Sequence, residues 1–190
     1  MRSDEAEEIV ISCIKELKEE IKKWDNDEVY GWECDVHFDL YYLLNKKEQK
    51  FWQEKSVMAH CNEIGNTRID LVIYDPDNKE EQNPLIAIEL KFDERYYKKD
   101  KKSEPIGKDV KNLLLIKNKY PKLIAMEVYF GKDYKIDEIK DLLSRHATES
   151  GKIKFVIAHT DENIIYMNEN NEWVPLLNYG GLRGCEDGRV

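Results

Sequence analysis

Two neighbouring apolar segments of the sequence carry charged residues where a buried strand would normally exclude them. They are TRIDLVIYD (residues 67–75) and PLIAIELKF (residues 84–92), and a polar loop joins them. Because side chains alternate across a strand, Glu89 and Lys91 share one face of the second segment. If the two segments form an antiparallel hairpin with a symmetric loop, paired residue numbers sum to about 159, and Asp70 faces Glu89. The sequence thus predicts a charged cluster on one face of a β-sheet.

The rest of the chain alternates helix and strand patterns, which indicates an α/β fold. Helical patterns at 3–24 and 32–44 precede three strand-like segments in succession, and helices and strands alternate after them. The strand-like segments are at 56–63, 67–75, 84–92, 123–131, 153–159 and 163–167, and the later helical ones are at 105–119 and 137–149. This order predicts a mixed central sheet flanked by helices, antiparallel at first and parallel later.

The length of 190 residues and the hydrophobic fraction of 41% are typical of one globular domain. We expect residues 29–175 to form it, with an N-terminal helical extension at 1–28 and a flexible, Gly-rich C-terminal tail at 176–190. The apolar residues of the N-terminal helix form a narrow stripe. This stripe either docks on the chain's own domain or forms a short coiled coil between two subunits. A homodimer through this helix is therefore one of two predictions.

The sequence has no recognisable targeting or membrane segment. MRSDEAEE at the N-terminus lacks the apolar core of a signal peptide, and no apolar stretch approaches the ~20 residues that span a bilayer. We therefore expect a cytoplasmic protein with no membrane contact.

The four cysteines occur without a CxxC pair, which argues against a disulfide framework and against a zinc ribbon. The sequence also contains one alternative set of zinc ligands, made of Cys34, His37, His60 and Cys61. It is disfavoured, because adjacent strand residues such as His60 and Cys61 point to opposite faces.

Two carboxylates that face each other on adjacent strands repel, so Asp70 and Glu89 require a compensating group. A divalent cation such as Mg²⁺ fits, since it takes one or two protein carboxylates and keeps several waters. Glu33 is a third acidic candidate, because it lies three residues before Val36 on the apolar face of the second helix. A simpler alternative stays open, in which Glu89 pairs with Lys91 along the strand and the Asp70 side chain hydrogen-bonds the backbone of a turn.

TRIDLVIYD followed by LIAIELKF resembles the D…ExK signature of the PD-(D/E)XK nuclease superfamily, which includes restriction endonuclease-like enzymes. GWECDVHFDLYYLL (residues 31–44) resembles the first core helix of many members, and IGKDVKNLL (residues 106–114) resembles the segment after the ExK strand. Two positions depart from the pattern: Ile69 stands where proline is common, and Asn112 stands where a basic residue often follows Asp109. The resemblance implies a restriction endonuclease-like core.

The resemblance also implies a Mg²⁺- or Mn²⁺-dependent nuclease that hydrolyses phosphodiester bonds by metal-activated water, with nucleic acid, and most of all DNA, as its partner. On this basis Asp70 and Glu89 are the metal ligands and Lys91 is the catalytic lysine. Glu33 is an additional acid near the metal. The net charge of −9 favours an alternative, in which a catalytically weak or inactive module of this fold serves nucleic-acid binding or protein assembly.

Residues 94–122 form a basic stretch within the acidic chain. They contain ten Lys/Arg against four Asp/Glu, a net charge of +6, so the remainder of the chain carries −15. Lysines that follow the ExK strand can contact the phosphates of a bound nucleic acid. The predicted contacts are Lys98, Lys99, Lys101, Lys102, Lys108 and Lys111. The alternative is a solvated loop followed by an ordinary helix surface.

Overall fold

A computed structural model describes eight stretches of the chain, which contain four helices and seven strands. The described residues are 3–24, 33–48, 57–64, 67–74, 84–92, 103–132, 135–147 and 152–176. The helices are α1 (Ser3–Lys23), α2 (Glu33–Glu48), α3 (Ser103–Lys119) and α4 (Ile136–Ala147). The strands are β1 (Val57–Ile64), β2 (Thr67–Tyr74), β3 (Pro84–Phe92), β4 (Ile124–Gly131), β5 (Ile153–His159), β6 (Ile165–Met167) and β7 (Trp173–Pro175). The predicted α/β class is confirmed, and β7 is an additional strand that the sequence patterns did not indicate.

The seven strands of the described residues form one sheet in which each strand neighbours the next in sequence. Strands β1 to β3 pair antiparallel, β3 to β5 pair parallel, and β5 to β7 pair antiparallel again. The predicted mixed sheet, antiparallel at first and parallel later, is therefore confirmed for its first five strands. A parallel strand needs a crossover, and α3 and α4 supply the two that the topology requires.

Away from the loop, the β2–β3 hairpin has the register that the symmetric loop predicts, and the register shifts beside the loop, between Ile73 and Tyr74. Leu71 pairs with Ile88 and Val72 pairs with Ala87. Asp70 lies one residue beyond the first of these pairs on β2, and Glu89 lies one residue beyond it on β3. The two positions therefore face each other across the end of the hairpin, as the alternation of side chains requires.

Helices cover both faces of the sheet and enclose two apolar cores. On one face α1 and α2 pack against side chains that include Ile73, Ile88 and Val128. On the other face α3 and α4 pack against the alternate side chains, which include Val72 and Ala87. The near-continuous apolar sequences of β3, β4 and β5 follow from this burial on both faces.

The N-terminal helix belongs to the first of these cores. Its stripe of Ala6, Val10, Ile14, Leu17 and Ile21 is at most 1% exposed. The docked arrangement, one of the two alternatives for this helix, is confirmed, while a homodimer stays a prediction. The tail after Leu176 lies outside the described residues.

No helix within the described residues is long and apolar enough to cross a membrane.

Because the apolar stripe of α1 is buried, a substitution at Leu17 tests how strongly this helix stabilises the fold. Replacing it with alanine should lower the free energy of unfolding by about 2–5 kcal/mol, because the buried side chain leaves a cavity. The control is Leu115→Ala on α3, where the side chain is 61% exposed and the change should be within about 0.5 kcal/mol. Chemical denaturation measures both, and equal effects of the two substitutions would contradict the docked helix.

Candidate active site

The Asp70 carboxylate lies one residue beyond the last β2–β3 pair, Leu71 with Ile88. Its Oδ2 accepts a hydrogen bond from the backbone N–H of Leu90 at 2.9 Å. In a regular antiparallel ladder a backbone carbonyl of the neighbouring strand would accept such an N–H. Because a backbone N–H directed at a neighbouring strand lies near the sheet plane, the carboxylate also lies near that plane. It is therefore within reach of helices on both faces.

Glu89 is the most deeply buried member of the predicted site, with 3% exposure. Burial, and next the negative charge of Asp70, raise the pKa of the Glu89 carboxyl to about 11. Its Oε1 is buried and makes no hydrogen bond to any described residue. At neutral pH the Asp70–Glu89 pair therefore retains a proton unless a cation replaces it.

His37 on α2 contacts Asp70 from the first face of the sheet. Its Nε2 lies 3.3 Å from Asp70 Oδ2, and its side chain is 9% exposed. From the sequence, His37 is a candidate only in the zinc alternative, and its contact with Asp70 was not predicted. The available signal was its position next to Val36 on the buried face of the helix. Glu33 begins α2 one turn before His37, and its side chain lies outside the described part of the structure.

Asp109 on α3 contacts the site from the opposite face. Its Oδ2 lies 2.8 Å from Lys91 Nζ, and the two side chains are 14% and 15% exposed. Lys91 Nζ also donates to the backbone carbonyl of Leu90 at 3.0 Å. Burial raises the pKa of Asp109, and the Lys91 charge opposes the rise. The simpler alternative, a Glu89–Lys91 pair along the strand, is therefore not the arrangement found, because the Lys91 ammonium pairs with a helix residue.

Glu127 on β4 is a further buried carboxyl that was not predicted from the sequence. It pairs in register with Glu89 across the parallel β3–β4 ladder and is 0% exposed. It is one of the charges that raise the pKa of Glu89. The signal was present, since IAMEVYFG places a glutamate inside an apolar strand just as LIAIELKF does.

The remaining predicted residues divide between described and undescribed parts of the chain. Lys108 and Lys111 lie on the solvent-exposed side of α3. Lys98, Lys99, Lys101 and Lys102 lie outside the described residues, as do the side chains of the zinc alternative other than His37. Within the described residues no three His, Cys, Asp or Glu side chains form a group that could hold a metal ion.

The raised pKa of Glu89 predicts that this side chain destabilises the cation-free fold as the pH rises. Unfolding frees the carboxyl to ionise with an ordinary pKa near 4.5, so stability falls above that pH. Glu89→Gln cannot ionise and should be more stable than the wild type, with a difference that grows between pH 5 and pH 8. The growth is at most about 1.4 kcal/mol per pH unit.

Thermal unfolding in a chelator at several pH values measures this difference. Glu162→Gln, at an exposed position, is the control and should change the stability by less than about 0.5 kcal/mol at each pH. A Glu89→Gln difference that is constant from pH 5 to pH 8 would contradict a buried, protonated Glu89.

Comparisons with known proteins do not assign the chain to a family. No protein-family model matches it, and no significant match is found among curated proteins or solved structures. The functional interpretation therefore depends on the geometry around Asp70, Glu89 and Lys91.

Proposed function

We propose that the chain is a Mg²⁺- or Mn²⁺-dependent nuclease with a restriction endonuclease-like core, hydrolysing phosphodiester bonds of nucleic acid, with DNA as the expected substrate. The observation that carries the proposal is the position of three charged residues at the end of one hairpin. Asp70 and Glu89 face each other across β2 and β3, and Lys91 lies on the same strand face as Glu89. This is the arrangement that the D…ExK resemblance implies.

The buried carboxyl groups fit a divalent cation. Glu89 has a buried oxygen that makes no hydrogen bond to the described residues, and Asp70 adds a second carboxylate across the hairpin. Two carboxylates together with waters are a usual ligand set for Mg²⁺. A bound cation would also replace the proton that the pair otherwise retains. Asp70 and Glu89 would therefore hold the ion.

The side chains around the pair support hydrolysis of a phosphodiester. When bound, the cation supplies Lewis acidity to activate the attacking water and to neutralise charge on the phosphate. Lys91 places a positive charge beside the same site, where it stabilises negative charge that builds up on the phosphate. The hydrogen bond from the Leu90 N–H orients the Asp70 carboxylate, and His37 Nε2 lies 3.3 Å from the same oxygen, Oδ2.

The order of elements around the site also supports the family proposal. Helix α2 is followed by β1, β2 and β3, then by α3 and β4. This is the succession of helix, three strands, helix and strand that the resemblance implies for the nuclease core. Residue pairs of the β2–β3 hairpin keep Asp70 and the ExK residues at one end of the sheet.

Exposed lysines on α3 offer contacts for the phosphates of a nucleic acid. Lys108 and Lys111 face solvent on the helix that also carries Asp109. Each lysine that contacts a phosphate adds to affinity through counterion release, independently of base sequence. Such local contacts are needed because the net charge of the chain is −9.

Cleavage assays on duplex, branched and single-stranded DNA and on RNA, each with Mg²⁺ or Mn²⁺, test the proposal. We expect metal-dependent cleavage that Asp70→Ala and Lys91→Ala each reduce by at least about 100-fold, since each removes charge stabilisation at the reacting phosphate. Asp137→Asn, at an exposed position on α4, should retain wild-type activity. The proposal would be overturned if the wild type cleaved none of the substrates with either metal, or if the wild type and both site variants cleaved equally.

The alternative function, an inactive nuclease-fold module for nucleic-acid binding or protein assembly, is favoured by the net charge of −9. Calorimetric titration with Mn²⁺ distinguishes the two. A working site should bind Mn²⁺ with release of about one proton and with higher affinity at higher pH, because the cation displaces the Glu89 proton. Glu89→Gln should lose this binding, whereas a wild-type chain that binds no Mn²⁺ supports the module.

A further inference from the structure

Contacts from two different parts of the fold hold the Lys91 ammonium. Its Nζ lies 2.8 Å from Asp109 Oδ2 on α3 and 3.0 Å from the carbonyl oxygen of Leu90 on its own strand. A lysine side chain has a flexible four-carbon stem and loses much rotational freedom when its end is fixed. The two contacts therefore restrict the terminal nitrogen to a small region next to the end of the hairpin.

Asp109 stands on a part of α3 where packing alone favours an apolar residue. It follows Ile106 by three residues and precedes Leu113 by four, and both of these side chains are at most 2% exposed. Residues at these spacings share one side of a helix, so Asp109 lies toward the sheet. A buried ion pair is often no more stabilising than apolar residues of similar size. The position of Asp109 is therefore poorly explained by stability.

Asp109 and the Asp70–Glu89 pair influence each other electrostatically. The charge of Asp70 contributes to the raised pKa of Asp109, and the charge of Asp109 contributes to the raised pKa of Glu89. Such effects require proximity, because charge interactions weaken with distance. Asp109 thus adds negative charge to a site already crowded with carboxyl groups, and the group it contacts within hydrogen-bond distance is Lys91.

We propose that Asp109 is a positioning residue that fixes the Lys91 ammonium beside the Asp70–Glu89 pair, so that the lysine meets a bound phosphodiester in one orientation. The inference rests on the proposed nuclease function, because it assigns Lys91 a role at the phosphate. A charge held in place before the reaction needs no reorganisation in the transition state. The loss of Asp109 should therefore lower kcat more than it raises KM.

Two substitutions distinguish the effect of the Asp109 charge from the effect of the volume that its side chain fills. Asp109→Asn keeps the shape and one acceptor oxygen, and we expect kcat to fall about 10-fold. Asp109→Ala removes both, and we expect a fall of about 100-fold. In each variant KM should change by less than about threefold, since the expected loss is in stabilisation of the transition state.

A double-mutant cycle tests whether Asp109 acts through Lys91. In the Lys91→Ala background, Asp109→Ala should cause no further loss of kcat, because the positioned group is already absent. The matched control is Asp137→Asn, which breaks an exposed Asp137–Lys140 pair of 3.3 Å and should leave kcat unchanged. A full kcat in Asp109→Ala, or an undiminished further loss in the Lys91→Ala background, overturns the positioning role and leaves the nuclease function standing.

Acylation of lysine amines, mapped by mass spectrometry, measures how accessible the Lys91 amine is and does not require activity. Lys91 should be protected in the wild type and in Asp137→Asn, and labelled several times faster in Asp109→Ala and in Asp109→Asn, whose folding is checked by circular dichroism. If the wild type cleaves no substrate, the proposed function fails while this measurement still decides whether Asp109 holds Lys91. Equal labelling of Lys91 in the wild type and in both folded variants overturns the inference by itself.

Discussion

The hydrogen bond from the Leu90 amide to the Asp70 carboxylate holds that carboxylate where side chains from both helical layers can reach it. A side chain takes the place of a backbone acceptor at the end of the β2–β3 ladder, at 2.9 Å. This keeps a carboxylate close to the sheet plane, where side chains from both helical layers can reach it. His37 of α2 lies against Asp70 from one face, and Asp109 of α3 lies against Lys91 from the other. The site is therefore assembled at the end of the hairpin, with contacts from both helical layers.

The acidic groups gathered at this end of the hairpin make folding less favourable. Glu89 and Glu127 are both almost fully buried and are neighbours across the β3–β4 ladder. Buried carboxyl groups lose hydration, and each additional negative charge makes ionisation of the others less favourable. A sheet selected for stability alone would carry apolar residues at these positions, as the surrounding strands do. The retained carboxyl groups are the local conflict with packing that is typical of functional sites.

The hairpin and its facing acids could be predicted from the sequence, because strand alternation and loop symmetry are local properties. The same holds for the stripe of α1, whose helical spacing is visible in sequence. The contacts of His37 and Asp109 could not be predicted in this way, because they depend on how α2 and α3 are rotated and placed against the sheet. Glu127 was open to the same reasoning as Glu89, since each interrupts an apolar strand. It was missed because no motif drew attention to it.

The ion pair between Lys154 and Glu7 joins residues 147 positions apart, with Nζ–Oε distances of 2.5 and 2.8 Å. It fixes the first helix of the chain against the fifth strand, and the α1 stripe packs on the same sheet face. Contacts of such long range form late, because the intervening chain must be ordered before they can close. During synthesis, the apolar stripe of α1 can therefore meet α2 and β3 early, whereas Glu7 gains its Lys154 partner only after β5 has left the ribosome.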